Sequence, residues 1–190
     1  MAPATDILLF LLIAIGALVL GYLIRQLLIG GRELRKLSGR MLVTCPETHS
    51  SASVKVASAL AAAAAMTGKQ HIALRQCSRW PEREGCDQAC LEELISDPEN
   101  HAVWTIASKW YQGKSCSFCG RPISPLSHLD HDPGLVAFNG KILEWKQLPA
   151  EQLPEILESG RPVCWNCTVV ESFRKEHPEL IVERPWKHEH

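Results

Sequence analysis

The sequence predicts a single N-terminal transmembrane helix joined to a small α+β, cysteine-rich body. Three observations predict it. Ile7 to Ile24 is a run of 18 residues without a charge. Arg25, Arg32, Arg35, Lys36 and Arg40 follow that run, and no Lys or Arg precedes it. All eight cysteines fall at or after Cys45, and four of them stand in two Cys-x-x-Cys pairs.

The apolar run is bounded by Asp6 and Arg25. As a helix it spans about 27 Å, close to the hydrocarbon thickness of a bilayer. Gln26 and Leu27 to Ile29 extend it into the interface, so the anchor is expected at residues 1–30. A cleaved signal peptide carries its positive charge ahead of a shorter apolar core. Here MAPATD has none, and the basic cluster comes afterwards, so a retained anchor is expected. By the positive-inside rule the N-terminus lies outside and the body in the cytoplasm, at a bacterial-type inner (plasma) membrane. Ala17 and Gly21 form a small-xxx-small pair on which a second helix can approach. The oligomeric state stays open. Residues 31–40 read as a basic juxtamembrane linker or amphipathic stretch. Its cations either contact anionic headgroups, at about 1 kcal/mol each, or serve only to set topology.

From Met41 onward, 15 Lys and Arg face 19 Asp and Glu. A mildly acidic body lacks the basic face of a nucleic-acid binder. The first unit is expected at residues 41–113. Met41 to Cys45 reads as a strand ended by Pro46, Val54 and Val56 alternate in a second, and His71 to Cys77 in a third. The Ala-rich Ser58 to Met66 is a strong helix former stopped by Gly68. Asp87 to Ser96 is a short helix, and Asp97-Pro98 caps the next, which runs to about Tyr111. Trp104 and Trp110 read as core or interface anchors. The second unit is expected at residues 114–182. Leu135 to Phe138, Asn139-Gly140 and Lys141 to Trp145 form a hairpin signal. Helices follow at Pro149 to Glu158 and Cys167 to Glu176, the latter ended by His177-Pro178. Residues 183–190 form an exposed tail.

In a reducing cytoplasm, paired cysteines favour metal over disulfides. Cys116-Ser-Phe-Cys119-Gly and Cys164-Trp-Asn-Cys167 each place two thiolates within reach of one tetrahedral ion. The second pair opens a helix, whose N-terminal partial charge eases ionisation. The order of knuckle, hairpin, second pair and helix resembles the treble-clef zinc finger, so the C-terminal unit reads as treble-clef or zinc-ribbon-like. In particular, CSFCG is similar to the first knuckle in the zinc-binding domain of ClpX-type unfoldases. The resemblance implies that Cys116, Cys119, Cys164 and Cys167 bind zinc. It covers the last third of the chain, spans a long gap of 44 residues between the pairs, and is accompanied by no ATPase motif. It therefore implies a fold and a metal, and no unfoldase activity. His128 and His131, with Asp130 or Asp132, either add a ligand or lie in a solvated loop.

Cys45, Cys77, Cys86 and Cys90 form a possible second site. Their spacing matches no standard finger, and the alternative is that some are buried structural thiols. One or two zinc ions are expected in total. An iron–sulfur cluster on the first set is the runner-up cofactor, although no ferredoxin-like cysteine run occurs. Trp80 beside Cys77 would shield that site from water.

Enzymatic motifs are absent from the sequence. No HExxH, P-loop, GxGxxG or GxSxG occurs. Val163 separates Pro162 from Cys164, and His188-Glu189-His190 comes too late for a zinc deaminase. Cys45-Pro-Glu-Thr-His49 is a weak catalytic set. Four-thiolate sites leave no open coordination position, which suits structure better than catalysis. The expected function is a membrane-anchored, non-enzymatic zinc-binding scaffold that recruits a protein partner. Alternatives are an iron–sulfur electron-transfer or redox-sensing protein, and a metal-sensing or metal-handling protein.

Overall fold

The computed structural model describes residues 3–80, 82, 85–127, 130–137 and 139–180, with side chains from Ile7 onward. Helix α1 (Pro3–Lys36) is continuous over 34 residues. It is long and apolar enough, near the N-terminus, to cross a membrane. Its apolar side chains are uncovered, with Phe10 71% and Leu18 74% exposed. The stretch expected as a linker from residue 31 stays helical to Lys36. Glu33 pairs with Lys36 at 3.9 Å, and the Leu37 amide still donates to the Glu33 carbonyl. Leu37 then buries in the core that follows, so the helix enters the folded body directly.

The body divides into two compact units between Ala102 and Val103. In the first, β1 (Met41–Cys45), β2 (Ser50–Val56) and β3 (Leu74–Cys77) form an antiparallel sheet in the order β1-β2-β3. Cys45 lies opposite Ser50, and Cys77 opposite Val54. The Ala-rich α2 (Ser58–Met66) packs along α1. Its small side chains allow close approach and add little entropy cost on burial. The core contains Leu37, Met41, Val43, Val54 and Leu94 together with Cys45 and Cys90. A side chain as fully buried as Leu94 contributes about 1.5–3 kcal/mol.

α3 (Leu91–Ser96) starts later than the expected Asp87. The Asp87 carboxylate accepts the Ala89 amide at 3.1 Å and holds the preceding residues in a turn. Asp97 caps α4 (Pro98–His101), accepting the Asn100 amide. The helix expected to run on to Tyr111 is broken at Ala102. Ala102 is extended (φ −66°, ψ 125°) and bridges to Met41, while His101 Nδ1 bonds to the Leu42 carbonyl at 2.9 Å. Pairing with β1 overrides local helix propensity there.

The second unit opens with α5 (Val103–Tyr111), which the sequence reading grouped with the first. Tyr111 donates its buried hydroxyl to the Gly134 carbonyl at 2.9 Å, and Trp110 Nε1 donates to the Leu157 carbonyl at 2.8 Å. β4 (Gly134–Val136), β5 (Ile142–Glu144) and β6 (Arg161–Val163) form an antiparallel sheet ordered β5-β4-β6. The β4–β5 turn is closed by the Ala137 amide to the Lys141 carbonyl and the Lys141 amide to the Asn139 side chain. Phe138, part of the expected hairpin, lies outside the described residues. α6 (Leu153–Ser159) and α7 (Trp165–Glu176) complete the unit. β4 and α7 approach closely at Gly134, where a Cβ would meet Thr168 Oγ1 at 2.5 Å. The expected tail, residues 183–190, lies outside the described residues.

Candidate metal centre

The first cysteine pair sits on a tight hairpin. The Cys116 amide donates to the Arg121 carbonyl, the Ile123 amide to the Lys114 carbonyl, and Ser115 bridges to Pro122. Gly120 turns the chain at φ +72°, a conformation that disfavours a side chain, and its amide closes on the Cys116 carbonyl at 2.9 Å. Both the amide and the hydroxyl of Ser117 donate to the Pro162 carbonyl at 2.9 Å. That contact ties the knuckle to β6, which delivers Cys164 at its end. Cys164 is the N-cap of α7, and Cys167 lies in its first turn.

The four thiol sulfurs of Cys116, Cys119, Cys164 and Cys167 lie within 4.8 Å of one another and can hold a metal ion. Cys119 Sγ and Cys164 Sγ are 3.7 Å apart. A tetrahedral ion with bonds of about 2.3 Å sets neighbouring sulfurs about 3.8 Å apart. Cys116 is buried, Cys119 exposed, and the other two half-buried. All eight cysteines of the chain are free thiols.

The electrostatics are asymmetric. Burial opposes ionisation of Cys116, but the amides of Cys119, Cys164 and Phe118 and the Cys164 thiol outweigh it. They bring the Cys116 thiol down to about 6. Burial pushes Cys164 up, and it pushes Cys167 up to about 12, with the three neighbouring thiols adding to the effect. Four thiolates so close repel one another, and a cation removes that cost.

His131 is not in this cluster. Its ring stacks on Trp165, with centroids 4.5 Å apart. Asp132 pairs with Lys146 at 2.5 Å. His128, and His188 to His190, lie outside the described residues.

In the first unit, Cys45 and Cys90 are buried in one apolar cluster, with Cys77 and Trp80 packed against it. Among the described residues, the sulfurs of Cys45, Cys77, Cys86 and Cys90 do not close within 4.8 Å as the second set does. The group that does so there is Glu47, Cys86 and Asp87.

The sequence reading missed β6 and its grip on the knuckle through Ser117. Three residues with Pro162 in the middle carry no local strand signal. However, proline is tolerated on an edge strand, and β6 is one. It also missed Glu47 and Asp87 beside Cys86, for which the sequence offered only the adjacency of Cys86-Asp87. The chain matches no known family model, no curated protein and no solved structure.

Proposed function

We propose that this chain is a membrane-anchored, non-enzymatic zinc protein whose cytoplasmic body presents a docking surface to a protein partner. The observation that carries the reading is the closed four-cysteine cluster of the second unit. Sulfurs within 4.8 Å of one another suit a single tetrahedral ion. Zinc at four thiolates has no open position, so it stabilises structure and activates no water. The treble-clef resemblance of the knuckle and of the second pair at a helix start points the same way.

The anchor is supported by the uncovered apolar surface of α1 and by its continuity into the core at Leu37. The cations following the apolar run support a cytoplasmic body. The docking role is supported by Val169, Val170 and Phe173 on α7, which are 45%, 47% and 49% exposed. These sit on the helix that carries Cys167, so the metal would hold the surface in shape.

Photo-crosslinking in cells tests the reading, with a crosslinking residue placed at Val170 and, as a control, at Lys141. A discrete adduct from Val170 in the membrane fraction, lost in Cys116→Ser, is the expected result. Equal labelling from both positions, or recovery of the chain from the soluble fraction, contradicts it. A colourless zinc-bearing preparation is expected. Iron with acid-labile sulfide would move the reading to redox chemistry.

A further inference from the structure

We propose that the first unit carries a second zinc site, with Cys45, Cys77, Cys86 and Cys90 as its four ligands. This goes beyond the function above and rests on different residues.

The fold gathers these cysteines from separate elements. Cys45 ends β1 on the face shared by Met41 and Val43, which point into the core. Cys77 ends β3. The chain after it runs back along β2: the Ser78 amide donates to the Ser53 carbonyl, and the Arg79 guanidinium donates to Ser50 Oγ at 2.8 Å. Ser50 is the residue opposite Cys45. The Cys77 turn is therefore anchored beside the Cys45 turn, and Cys77 packs against the buried cluster that holds Cys45 and Cys90, just before α3. Cys86 reaches the same place from its loop. Its sulfur lies within 4.8 Å of a carboxylate oxygen of Glu47, two residues after Cys45.

The hydrogen bonds at these sulfurs are of one kind. The Arg79 amide donates to Cys77 Sγ at 3.4 Å, and the Gln88 amide to Cys86 Sγ at 3.3 Å. The hydroxyl and amide of Thr48 and the amide of Glu47 face the Cys45 sulfur. In each case the amide two residues after a cysteine turns back onto its sulfur. Cys116 has the same arrangement with Phe118. A neutral thiol is a weak acceptor, whereas a thiolate is stabilised by each such donor. Three separate turns built this way are suited to bound thiolates.

Cys90 adds the fourth sulfur from the start of α3, buried in the same apolar cluster as Cys45 with Cys77 packed against it. Four sulfurs select a soft ion such as zinc over calcium or magnesium. Glu47 and Asp87 are exposed, and the Asp87 carboxylate already accepts the Ala89 amide. They are placed to act outside the coordination sphere. The stoichiometry is one Zn²⁺ bound through four Zn–S bonds, with four thiol protons released to solvent.

The test is zinc stoichiometry by native mass spectrometry on the full chain in detergent. Wild type, Cys90→Ser, and the double variant Cys116→Ser/Cys119→Ser are compared. Two zinc ions in wild type and one in each variant are expected. One zinc in wild type that disappears from the double variant overturns the proposal. One zinc that persists in the double variant but is lost from Cys90→Ser supports it, and counts instead against zinc in the second unit. If Cys90→Ser does not fold, cobalt(II) titration of chelator-stripped wild type decides. Two equivalents with thiolate charge-transfer absorption, or one that persists in the double variant, support the second site, and one equivalent that is lost in the double variant overturns it.

Discussion

The cysteines of the second unit stand in two pairs, each spaced by two residues, whereas those of the first come from two strand ends, a loop and the start of a helix. In the second unit each pair is positioned by its own turn, and one closure, between Cys119 and Cys164, completes the cluster. In the first unit three closures are needed. Closure entropy grows only with the logarithm of loop length, so the greater difference lies in what surrounds the sulfurs. Cys45 and Cys90 sit in a core with Leu37, Met41, Val43, Val54 and Leu94. Around the second set the buried apolar cluster is Cys116, Val136 and Val163. The second unit has its own core of Tyr111, Leu135, Trp145, Leu153 and Leu157, so the contrast is local: the first cysteine set is embedded in packing, and the second set would depend more on a bound ion.

Removing a ligand of the second set should have the largest effect. Structural zinc contributes about 10–16 kcal/mol in finger-sized peptides, comparable to the whole stability of a domain at about 5–15 kcal/mol. Cys167→Ser should therefore unfold β4, β6 and α7 while β1 to β3 stay protected, as read by hydrogen exchange. Loss of protection in both units together would erase the contrast.

Leu94→Ala cuts the other way. Leu94 is fully buried, and truncation should cost about 2–5 kcal/mol. The first unit's melting midpoint should fall while the zinc bound to the second unit is retained. Gly120→Ala sharpens the comparison on a smaller scale. The position has φ +72°, so a side chain there costs about 1–2 kcal/mol. Competition with a chelator should shift about tenfold towards release. The smallest effect on stability is expected for Phe173→Ser, within about 0.5 kcal/mol of wild type by thermal melting. Phe173 is half exposed, so the same change should abolish the Val170 crosslink.

Legibility in the sequence followed the same division. The apolar helix, the β4–β5 hairpin and the two cysteine pairs are local patterns, and each could be read from consecutive residues. The break at Ala102 could not, because it depends on a bridge to Met41 across the sheet. The assignment of α5 to the second unit depends on Tyr111 reaching Gly134 and on Trp110 reaching Leu157. Neither contact leaves a local signature. β6 was hidden by Pro162, a residue that local propensity counts against strands and that an edge position permits. The first cysteine set was legible as a list of residues, but the burial of Cys45 and Cys90 in one apolar core was not.

Zinc K-edge X-ray absorption on the full-length chain tests the central claim most directly. The Cys116, Cys119, Cys164 and Cys167 site predicts a shell of about four sulfurs at about 2.3 Å with no nitrogen or oxygen ligand. That signal should be halved, relative to protein, in Cys116→Ser/Cys119→Ser if both units bind, and abolished if the second unit alone does. A first shell dominated by nitrogen or oxygen, or full-strength sulfur coordination in that double variant, would contradict the account.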